Sequence, residues 1–252
     1  MPYLTPATEQ RASRRPSVLQ LSHFDMQGAR FNGHALMHGL QEQGYSSRHL
    51  VWAKEGDDPA TDQMFSLPGV RRVNRILAKA EQLLSIQSLL YPWAFGLPVH
   101  KQFRQADILH MHLIHTGYFS LAALPLLSRL KPIVWTLHDP WALTGHCIHP
   151  YDCTRWQDEC GHCPNLAAAF AMRRDHTRFM HRAKRKIYEK SNLDIVVASQ
   201  WMLESVRKSP LLENARTHLI PFGVDLDTFA PGNKVETKKA LGIDENSLVV
   251  AF

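Results

Sequence analysis

The stretch that decides the fold is Ile133-Val134-Trp135-Thr136-Leu137-His138-Asp139. Its first five residues are an apolar run of strand length, which is typical of a strand buried inside a sheet. A histidine and an aspartate follow directly, so two titratable groups stand at the carboxyl end of the run. In an open α/β sheet, ligands bind beyond the carboxyl ends of the strands. The stretch therefore predicts a buried strand that leads into a functional site.

Strand patterns and helix patterns alternate along the chain on both sides of this stretch. Further strands are predicted over residues 17–22, 48–52, 106–112, 193–198 and 217–220. Apolar residues at helical spacing predict helices over residues 33–44, 73–84, 118–130, 165–190 and 200–208. This alternation predicts an α/β fold with a doubly wound parallel sheet.

The chain divides into four segments by composition. Residues 1–16 are polar and predict a disordered tail, while residues 17–220 carry the α/β pattern. Residues 221–234 break that pattern with prolines and glycines, which indicates an interdomain hinge. Residues 235–252 predict a short helix and an apolar strand at 248–252. We expect this last segment to be the start of a second domain that is truncated.

Charge and hydropathy narrow the classes of partner and location. The 252 residues carry a formal net charge of +6, which favours anionic partners such as a phosphorylated ligand, a membrane surface or nucleic acid. The first residues lack the apolar core of a signal peptide, and no run approaches the roughly 18 apolar residues of a spanning helix. We therefore expect a cytoplasmic protein whose membrane contact, if any, is peripheral.

The loop after the first strand holds a candidate phosphate site. Gly28 and Arg30 precede a predicted helix, and the N–H groups at a helix start suit a phosphate that a glycine lets approach. Arg30 would add a bidentate contact. The alternative is a turn glycine with no ligand, because the loop has neither a G-x-G-x-x-G sequence nor a Walker sequence.

Histidines mark the ends of two other predicted strands. His110 and His112 share one face of the strand predicted over residues 106–112. His138 and Asp139 end the next strand, which begins at Ile133. Because such strand ends open into one crevice, we expect these groups to converge. His138 would donate to a hydroxyl or phosphate oxygen, and Asp139 would orient it or bind a sugar hydroxyl. The alternatives are a structural histidine and a turn aspartate before Pro140.

All four cysteines lie in the next segment, spaced C-x5-C-x6-C-x2-C. In a reducing cytosol, clustered cysteines more often bind metal than form disulfides, and four thiolates can close a tetrahedral zinc site. The pattern predicts a structural zinc and no catalytic metal, with free thiols or disulfides as alternatives. The expected ligands are Cys147, Cys153, Cys160 and Cys163. Substitute ligands are His146, His149 and His162.

Two predicted helices carry many basic residues beside apolar ones. The basic residues are Arg71, Arg72, Arg75 and Lys79 in the first helix and Arg173, Arg174, Arg178, Arg182, Lys184, Arg185 and Lys186 in the second. Basic amphipathic helices lie on anionic lipid, which predicts a peripheral membrane contact. The alternative is a solvated face above an ordinary core stripe.

Four segments resemble the N-terminal domain of retaining family-4 glycosyltransferases of the GT-B fold, in particular those of bacterial exopolysaccharide and colanic-acid assembly. The segments are Val18-Leu19-Gln20-Leu21-Ser22 with Gly28 and Gly33; Asp107-Ile108-Leu109-His110-Met111-His112; Thr136-Leu137-His138-Asp139-x-Trp141-x-x-Thr144-Gly145-x-Cys147, continuing to Cys160-Gly161-x-Cys163-Pro164; and Ile220-Pro221-x-Gly223-Val224-Asp225-x-Asp227-x-Phe229-x-Pro231. The resemblance spans nearly the whole chain from residue 17, and it implies a Rossmann-like domain.

The resemblance implies transfer of a sugar, with retention at the anomeric carbon, from a nucleotide-sugar donor to a glycan or lipid-linked acceptor at the inner membrane. The acceptor would bind mainly to this domain and the nucleotide mainly to the second. Gly28 would approach the donor phosphate and His138 would contact the donor sugar or phosphate. By the same resemblance His112, Thr144 and Gly145 are substrate-binding candidates. Nucleic acid is not an expected partner, and no catalytic metal is needed.

Two departures from the family pattern stand out. Ala29 follows Gly28 where the family often has a second glycine. The acidic E-x7-E region of the second domain is absent from these 252 residues, so we expect the chain alone to be inactive. Two other functions remain open on the sequence: a zinc-stapled basic module that binds polyanions, and another GT-B enzyme such as a nucleotide-sugar epimerase.

Overall fold

The structure, a computed structural model, describes residues 14–250. The chain forms two compact units, with the boundary between Ile220 and Pro221. Most of the predicted tail, residues 1–13, lies outside the described residues. Within residues 14–16, the rest of that tail, Arg14 forms an ion pair with the sheet region: its Nη2 lies 2.7 Å from Oδ2 of Asp107.

The described part of the first unit is a parallel sheet with helical connections. The strands are β1 (Val18–Phe24), β2 (Ser47–Ala53), β3 (Thr61–Gln63), β4 (Ile108–Met111), β5 (Ile133–Leu137), β6 (Leu193–Val197) and β7 (Arg216–Leu219). The α-helices are α1 (His34–Glu42), α2 (Val70–Leu84), α3 (Lys101–Gln105), α4 (Leu124–Leu130), α5 (Thr177–Tyr188) and α6 (Gln200–Lys208). Short 3-10 helices cover Pro92–Val99, Leu121–Ala123, Pro140–Leu143 and Arg155–Gln157.

The strand order is β3-β2-β1-β4-β5-β6-β7, and all pairings between neighbours are parallel. The chain builds outward from β1 to β3 on one side, then returns and builds outward from β4 to β7 on the other. The direction of growth therefore reverses between β1 and β4. This order confirms the predicted α/β fold with a doubly wound, Rossmann-like parallel sheet.

The central strands are buried on both faces, as in parallel sheets that helices cover on both sides. Leu19 and Leu21 of β1 and Leu109 and Met111 of β4 are all buried. Gln20 is also fully buried between the two leucines. A buried amide needs a hydrogen-bond partner, and the side-chain oxygen of Gln20 finds one in His112, directly after β4.

The basic helix predicted over residues 165–190 is wrong in its first half, because α5 begins only at Thr177. Asp175 fixes this start: its Oδ1 accepts the Thr177 hydroxyl at 2.6 Å and the Thr177 backbone N–H at 3.1 Å. Its Oδ2 accepts the backbone N–H of Cys163 at 2.8 Å. The segment before α5 is therefore held as a loop against the cysteine region.

The apolar stripe of α2 is not part of the core. Val73, Ile76, Leu83 and Leu84 are between 44 and 61% exposed. Helix α2 therefore presents apolar and basic side chains together at the surface. No helix within residues 14–250 has both the length and the apolar composition needed to cross a membrane.

The second unit is described over residues 221–250 and contains α7 (Lys234–Ala240). Asn233 caps this helix, since its Oδ1 accepts the backbone N–H of Val235 at 3.0 Å. The strand predicted over 248–252 is not formed at 248–250, the part of it that is described. A strand needs a neighbour to pair its backbone groups, and residues 221–250 contain no other strand.

Candidate active site

The candidate site lies where the direction of sheet growth reverses. Strand β1 pairs with β2 on one side and with β4 on the other, and β4 pairs with β5. The carboxyl ends of β1, β4 and β5 therefore lie side by side, which is where open α/β sheets bind ligands. We call this place the strand-end cleft and define it by Gly33, His110, His112 and His138.

The three histidines of the strand-end cleft form one cluster. Nδ1 of His112 lies 3.4 Å from Nε2 of His138, and the rings of His110 and His112 are 4.4 Å apart at their centroids. Nε2 of His112 also lies 2.9 Å from Oε1 of Gln20. Nε2 of His110 lies 2.8 Å from Oγ1 of Thr136. The fold thus brings together the histidines that the sequence places at consecutive strand ends.

Burial keeps this cluster uncharged at neutral pH. It lowers the pKa of His138 to about 4, although the carboxylate of Asp139 acts to raise it. Burial also lowers the pKa of His110 to about 4 and that of His112 well below its usual value, and neighbouring histidines add to both effects. The cluster therefore offers neutral hydrogen-bond donors and acceptors rather than positive charge.

Gly33 brings the loop after β1 into contact with the cluster. Its φ of 97° lies in the left-handed region that favours glycine. A Cβ here would lie 2.7 Å from Nε2 of His112 and 3.0 Å from Cβ of Gln20. The sequence pattern placed Gly33 inside a helix, whereas α1 begins at His34. Sequence reasoning missed this close approach because the position of His112 in space creates it.

Gly28 and Arg30 lie earlier in the same loop. Gly28 has a φ of 65°, but no atom lies within 4 Å of the place where its Cβ would be. Its glycine character serves a turn, in which its carbonyl accepts the N–H of Phe31 at 2.7 Å. The guanidinium of Arg30 lies 5.4 Å from the Phe31 ring centroid, and that ring stands 6.5 Å from the ring of His138. The loop therefore carries an exposed cation beside the strand-end cleft.

The carboxylate of Asp139 serves its own segment. Its Oδ1 accepts the backbone N–H of Trp141 at 2.8 Å and so caps the 3-10 helix Pro140–Leu143. Its Oδ2 lies 3.2 Å from Nε2 of His115. Burial acts to raise the pKa of Asp139, but His115 and the cap hydrogen bond outweigh it and lower the pKa. These are the contacts of a turn aspartate, and they orient His115 rather than His138.

A cavity of about 350 Å³ lies beside His115. Its walls come from α2, residues 85–91, the loop after β4 and residues 170–172. Glu81 stiffens one wall, because its carboxylate accepts three consecutive backbone N–H groups of residues 88–90. The volume suits a small ligand. Sequence reasoning missed this cavity because three segments that are distant in sequence build it.

The model of the family described as Glycosyltransferase Family 4 matches residues 33–228, which include the whole strand-end cleft. The chain belongs to glycosyltransferase family 4.

Two relatives accompany the family match. Over 133 residues the chain is 26% identical to the colanic acid biosynthesis glycosyltransferase WcaC of Escherichia coli (strain K12). The matched region covers 49% of this chain and 32% of the relative. The chain thus spans about a third of that relative's length. It is also similar to a solved glycosyltransferase from Rickettsia africae ESF-5, with a TM-score of 0.43 and 10% identity over 92% of this chain and 51% of that one.

In this family-4 glycosyltransferase chain, the segment after His138 folds through buried contacts. We call residues 139–164 the cysteine loop. Thr144 donates its hydroxyl to the carbonyl of Cys147 at 2.7 Å. A Cβ on Gly145 would lie 2.5 Å from the carbonyl oxygen of Thr177, so the loop packs directly on the start of α5. The buried contacts of Thr144 and Gly145 hold the loop together and do not reach into the strand-end cleft.

Lys184 of α5 anchors the cysteine loop from beneath. The side chain is fully buried, and Nζ donates to the carbonyl of Trp141 at 2.6 Å and to that of Thr144 at 2.9 Å. Nζ also lies 3.5 Å from the centroid of the Trp141 ring. Burial lowers the pKa of Lys184 to about 7, while the nearby cysteines act to raise it. No carboxylate of the described residues forms an ion pair with it.

The four cysteines line one small cavity together with His146. Burial raises the pKa of Cys160 to about 12, so that thiol is protonated at neutral pH without a metal. The residue types suit zinc, but within residues 14–250 no three of these thiols bring their sulfurs within 4.8 Å of one another. In a tetrahedral site the sulfurs stand roughly 3.8 Å apart, so metal binding would draw the loop inward.

Proposed function

We propose that this chain forms the acceptor-side domain of a retaining glycosyltransferase of bacterial polysaccharide biosynthesis. The enzyme would move a sugar from a nucleotide-sugar donor to a glycan or lipid-linked acceptor at the cytoplasmic face of the inner membrane. Family membership supports sugar transfer, and the likeness to WcaC supports a polysaccharide product. The observation that carries the proposal is the neutral His112–His138 pair beside Gly33, at the point where open α/β sheets bind ligands.

His138 is the group we assign to the donor. Its ring is neutral and partly exposed, so it donates a hydrogen bond to a sugar hydroxyl or a phosphate oxygen without needing a proton from solution. Burial around it lowers the local dielectric, which strengthens such a bond. The guanidinium of Arg30 would supply a favourable contact for the leaving diphosphate.

The cavity beside His115 is the place we assign to the acceptor. It lies one hydrogen bond from Asp139 and therefore next to the end of β5. An acceptor bound there would approach a sugar that His138 contacts. Wall residues such as Gln82 and Ser85 supply polar groups for hydroxyls.

The test is the rate at which the intact protein releases UDP or GDP from a panel of nucleotide sugars in the presence of acceptor extract. His138→Ala should lower kcat/KM by about 100-fold or more, since a positioned hydrogen-bonding or acid–base group contributes that much. The control is His218→Ala, which changes an exposed histidine on β7. Equal turnover by His138→Ala and the control would remove His138 from the mechanism.

Helix α2 is the membrane contact in this proposal. It presents Ile76 at 61% exposure beside Arg72 and Arg75, so one surface carries both apolar and basic groups. Each basic residue near an anionic surface contributes about 1 kcal/mol. Arg72→Glu with Arg75→Glu should abolish co-sedimentation with phosphatidylglycerol vesicles and leave the melting temperature unchanged. Equal sedimentation of the variant would exclude α2 as the contact.

A structural zinc in the cysteine loop completes the proposal. Four thiolates around zinc carry a net charge of −2, which would stabilise the charged form of the buried Lys184. The zinc would fix the loop and take no part in the reaction. Mass spectrometry under native conditions should find one zinc fewer per chain in Cys160→Ser than in the unsubstituted protein. An equal number of zinc ions in the two proteins, after expression with zinc, would exclude a zinc in the cysteine loop.

A further inference from the structure

A second group of metal-binding side chains lies outside the strand-end cleft and the cysteine loop. We propose that His34, His38 and Asp58 bind one divalent transition-metal ion of the zinc type. One ligand atom from each residue lies within 4.8 Å of the other two, and no other described residues meet that criterion. The three residues belong to the start of α1 and to the loop that follows β2.

The spacing along α1 explains why the two imidazoles meet. Residues four apart in a helix lie on the same side, and the rings of His34 and His38 are 4.8 Å apart at their centroids. Nε2 of His34 lies 2.9 Å from Oδ2 of Asp58, and Nε2 of His38 lies 2.7 Å from the same oxygen. Two imidazole nitrogens therefore already converge on one carboxylate oxygen.

The carboxylate is held in place and ionised. Oδ1 of Asp58 accepts the backbone N–H of Ala60 at 2.7 Å, which fixes the orientation of the group. Burial acts to raise the pKa of Asp58, but that hydrogen bond and the two imidazoles lower it overall. Lys54 is the cation of the same loop, and its Nζ is engaged by the carbonyls of Asp58 and Thr61, each at 2.8 Å.

The donor set selects the kind of ion. Two imidazoles and one carboxylate suit zinc and its neighbours, whereas magnesium and calcium prefer oxygen ligands alone. His38 is 45% exposed in its side chain, while His34 and Asp58 are 18 and 16% exposed. An ion can therefore enter past His38 and keep a water on its open side.

The bound ion would join two segments that support the strand-end cleft. His34 directly follows Gly33, which contacts His112. The loop of Asp58 also contacts the loop after β1, because Asp25 accepts the N–H groups of Glu55 and Gly56 at 2.8 and 3.0 Å. Metal binding would add a clamp between these loops, separate from any zinc in the cysteine loop.

The test is equilibrium dialysis of the chain against zinc at neutral pH. His38→Gln and Asp58→Asn should each bind one ion fewer per chain than the unsubstituted protein, or bind it at least about tenfold more weakly. Because the cysteines are intact in all variants, any zinc that they hold cancels in this comparison. Melting temperatures in the presence of a chelator establish that both variants are folded.

His218→Gln is the matched control. His218 also pairs with a carboxylate, Asp194 at 3.2 Å, and it is similarly exposed, but no second histidine joins the pair. The His218→Gln variant should bind as much zinc as the unsubstituted protein. The proposal is overturned if His38→Gln and Asp58→Asn bind zinc with unchanged number and affinity, or if all zinc is lost in Cys160→Ser. In either case the three side chains form a hydrogen-bonded cluster only.

Discussion

Two different regions meet directly after β5. His138 belongs to the strand-end cleft, and Asp139, the next residue, begins the cysteine loop. The polar groups of the cleft are side chains that face other side chains, as in the His112–His138 contact at 3.4 Å. The polar contacts of the loop mostly involve its backbone: Asp139 accepts the N–H of Trp141, and the carbonyls of Trp141 and Thr144 accept from Lys184 of α5.

This difference shows that neighbouring residues of one sequence motif have separate roles, one in the cleft and the others in the structure of the loop. His138 contacts His112 inside the cleft, whereas Asp139, Thr144 and Gly145, which follow it, build the wall beside the cleft. Substitutions on the two sides should therefore separate. Changes in the loop should lower the free energy of unfolding, and a change at His138 should lower turnover alone.

Lys184→Met should have the largest effect on stability. It leaves the carbonyls of Trp141 and Thr144 without their buried donor, and each such loss costs about 1–3 kcal/mol. We expect the free energy of unfolding in urea to fall by about 3 kcal/mol. Lys186→Met, on the exposed side of the same helix, should change it by less than about 0.5 kcal/mol. Equal values for the two variants would mean that Lys184 does not anchor the loop.

In the strand-end cleft, Gly33→Ala should cause the second largest loss in the free energy of unfolding. A methyl group there would stand 2.7 Å from Nε2 of His112, and a φ of 97° is strained for alanine, so we expect a loss of about 2 kcal/mol. Gly39→Ala is the control, because Gly39 lies inside α1 with open space around it. Alanine there should stabilise the protein by about 0.5–1 kcal/mol. A neutral Gly33→Ala would contradict the close approach at the cleft.

The pH dependence of stability should reveal the neutral cluster. Between pH 6.5 and about 4, the unfolded chain binds protons at histidines that the folded chain keeps neutral, so stability falls as the pH falls. His110→Gln removes one such group and should flatten the slope by up to about 1.4 kcal/mol per pH unit. Urea unfolding at pH 5, 6 and 7 measures it. An unchanged slope would show that His110 is protonated in the folded protein.

Much of the first unit follows from local pattern. Strand β5 and helix α6 have the predicted bounds. An apolar run and an amphipathic segment that follows a serine cap are both recognisable from local sequence. Strand β3 falls in a stretch for which the sequence predicts neither a strand nor a helix. Thr61–Gln63 is short and polar in part, and it becomes a strand by pairing with β2. The exposed stripe of α2 shows the opposite case, in which the periodicity was present but no core lay beneath it.

The site was predictable only in part, for a related reason. The convergence of His110, His112 and His138 follows from strand ends in a known type of sheet. The close approach of Gly33 and the burial of Lys184 depend on neighbours that are distant in sequence. Lys184 in particular stands in a run of basic residues. Its helical spacing from Met180 and Tyr188 places it on the buried face of α5, but its charge predicts an exposed side chain.

The most direct test compares kcat/KM and melting temperature for His138→Ala and Asp139→Ala in the intact protein. We predict that His138→Ala lowers kcat/KM by about 100-fold or more with a melting temperature within about 2 °C. Asp139→Ala loses a cap worth roughly 0.5–2 kcal/mol, so it should melt lower but keep kcat/KM within about tenfold in its folded fraction. The reverse pattern, with turnover lost at Asp139 and kept at His138, would contradict the account.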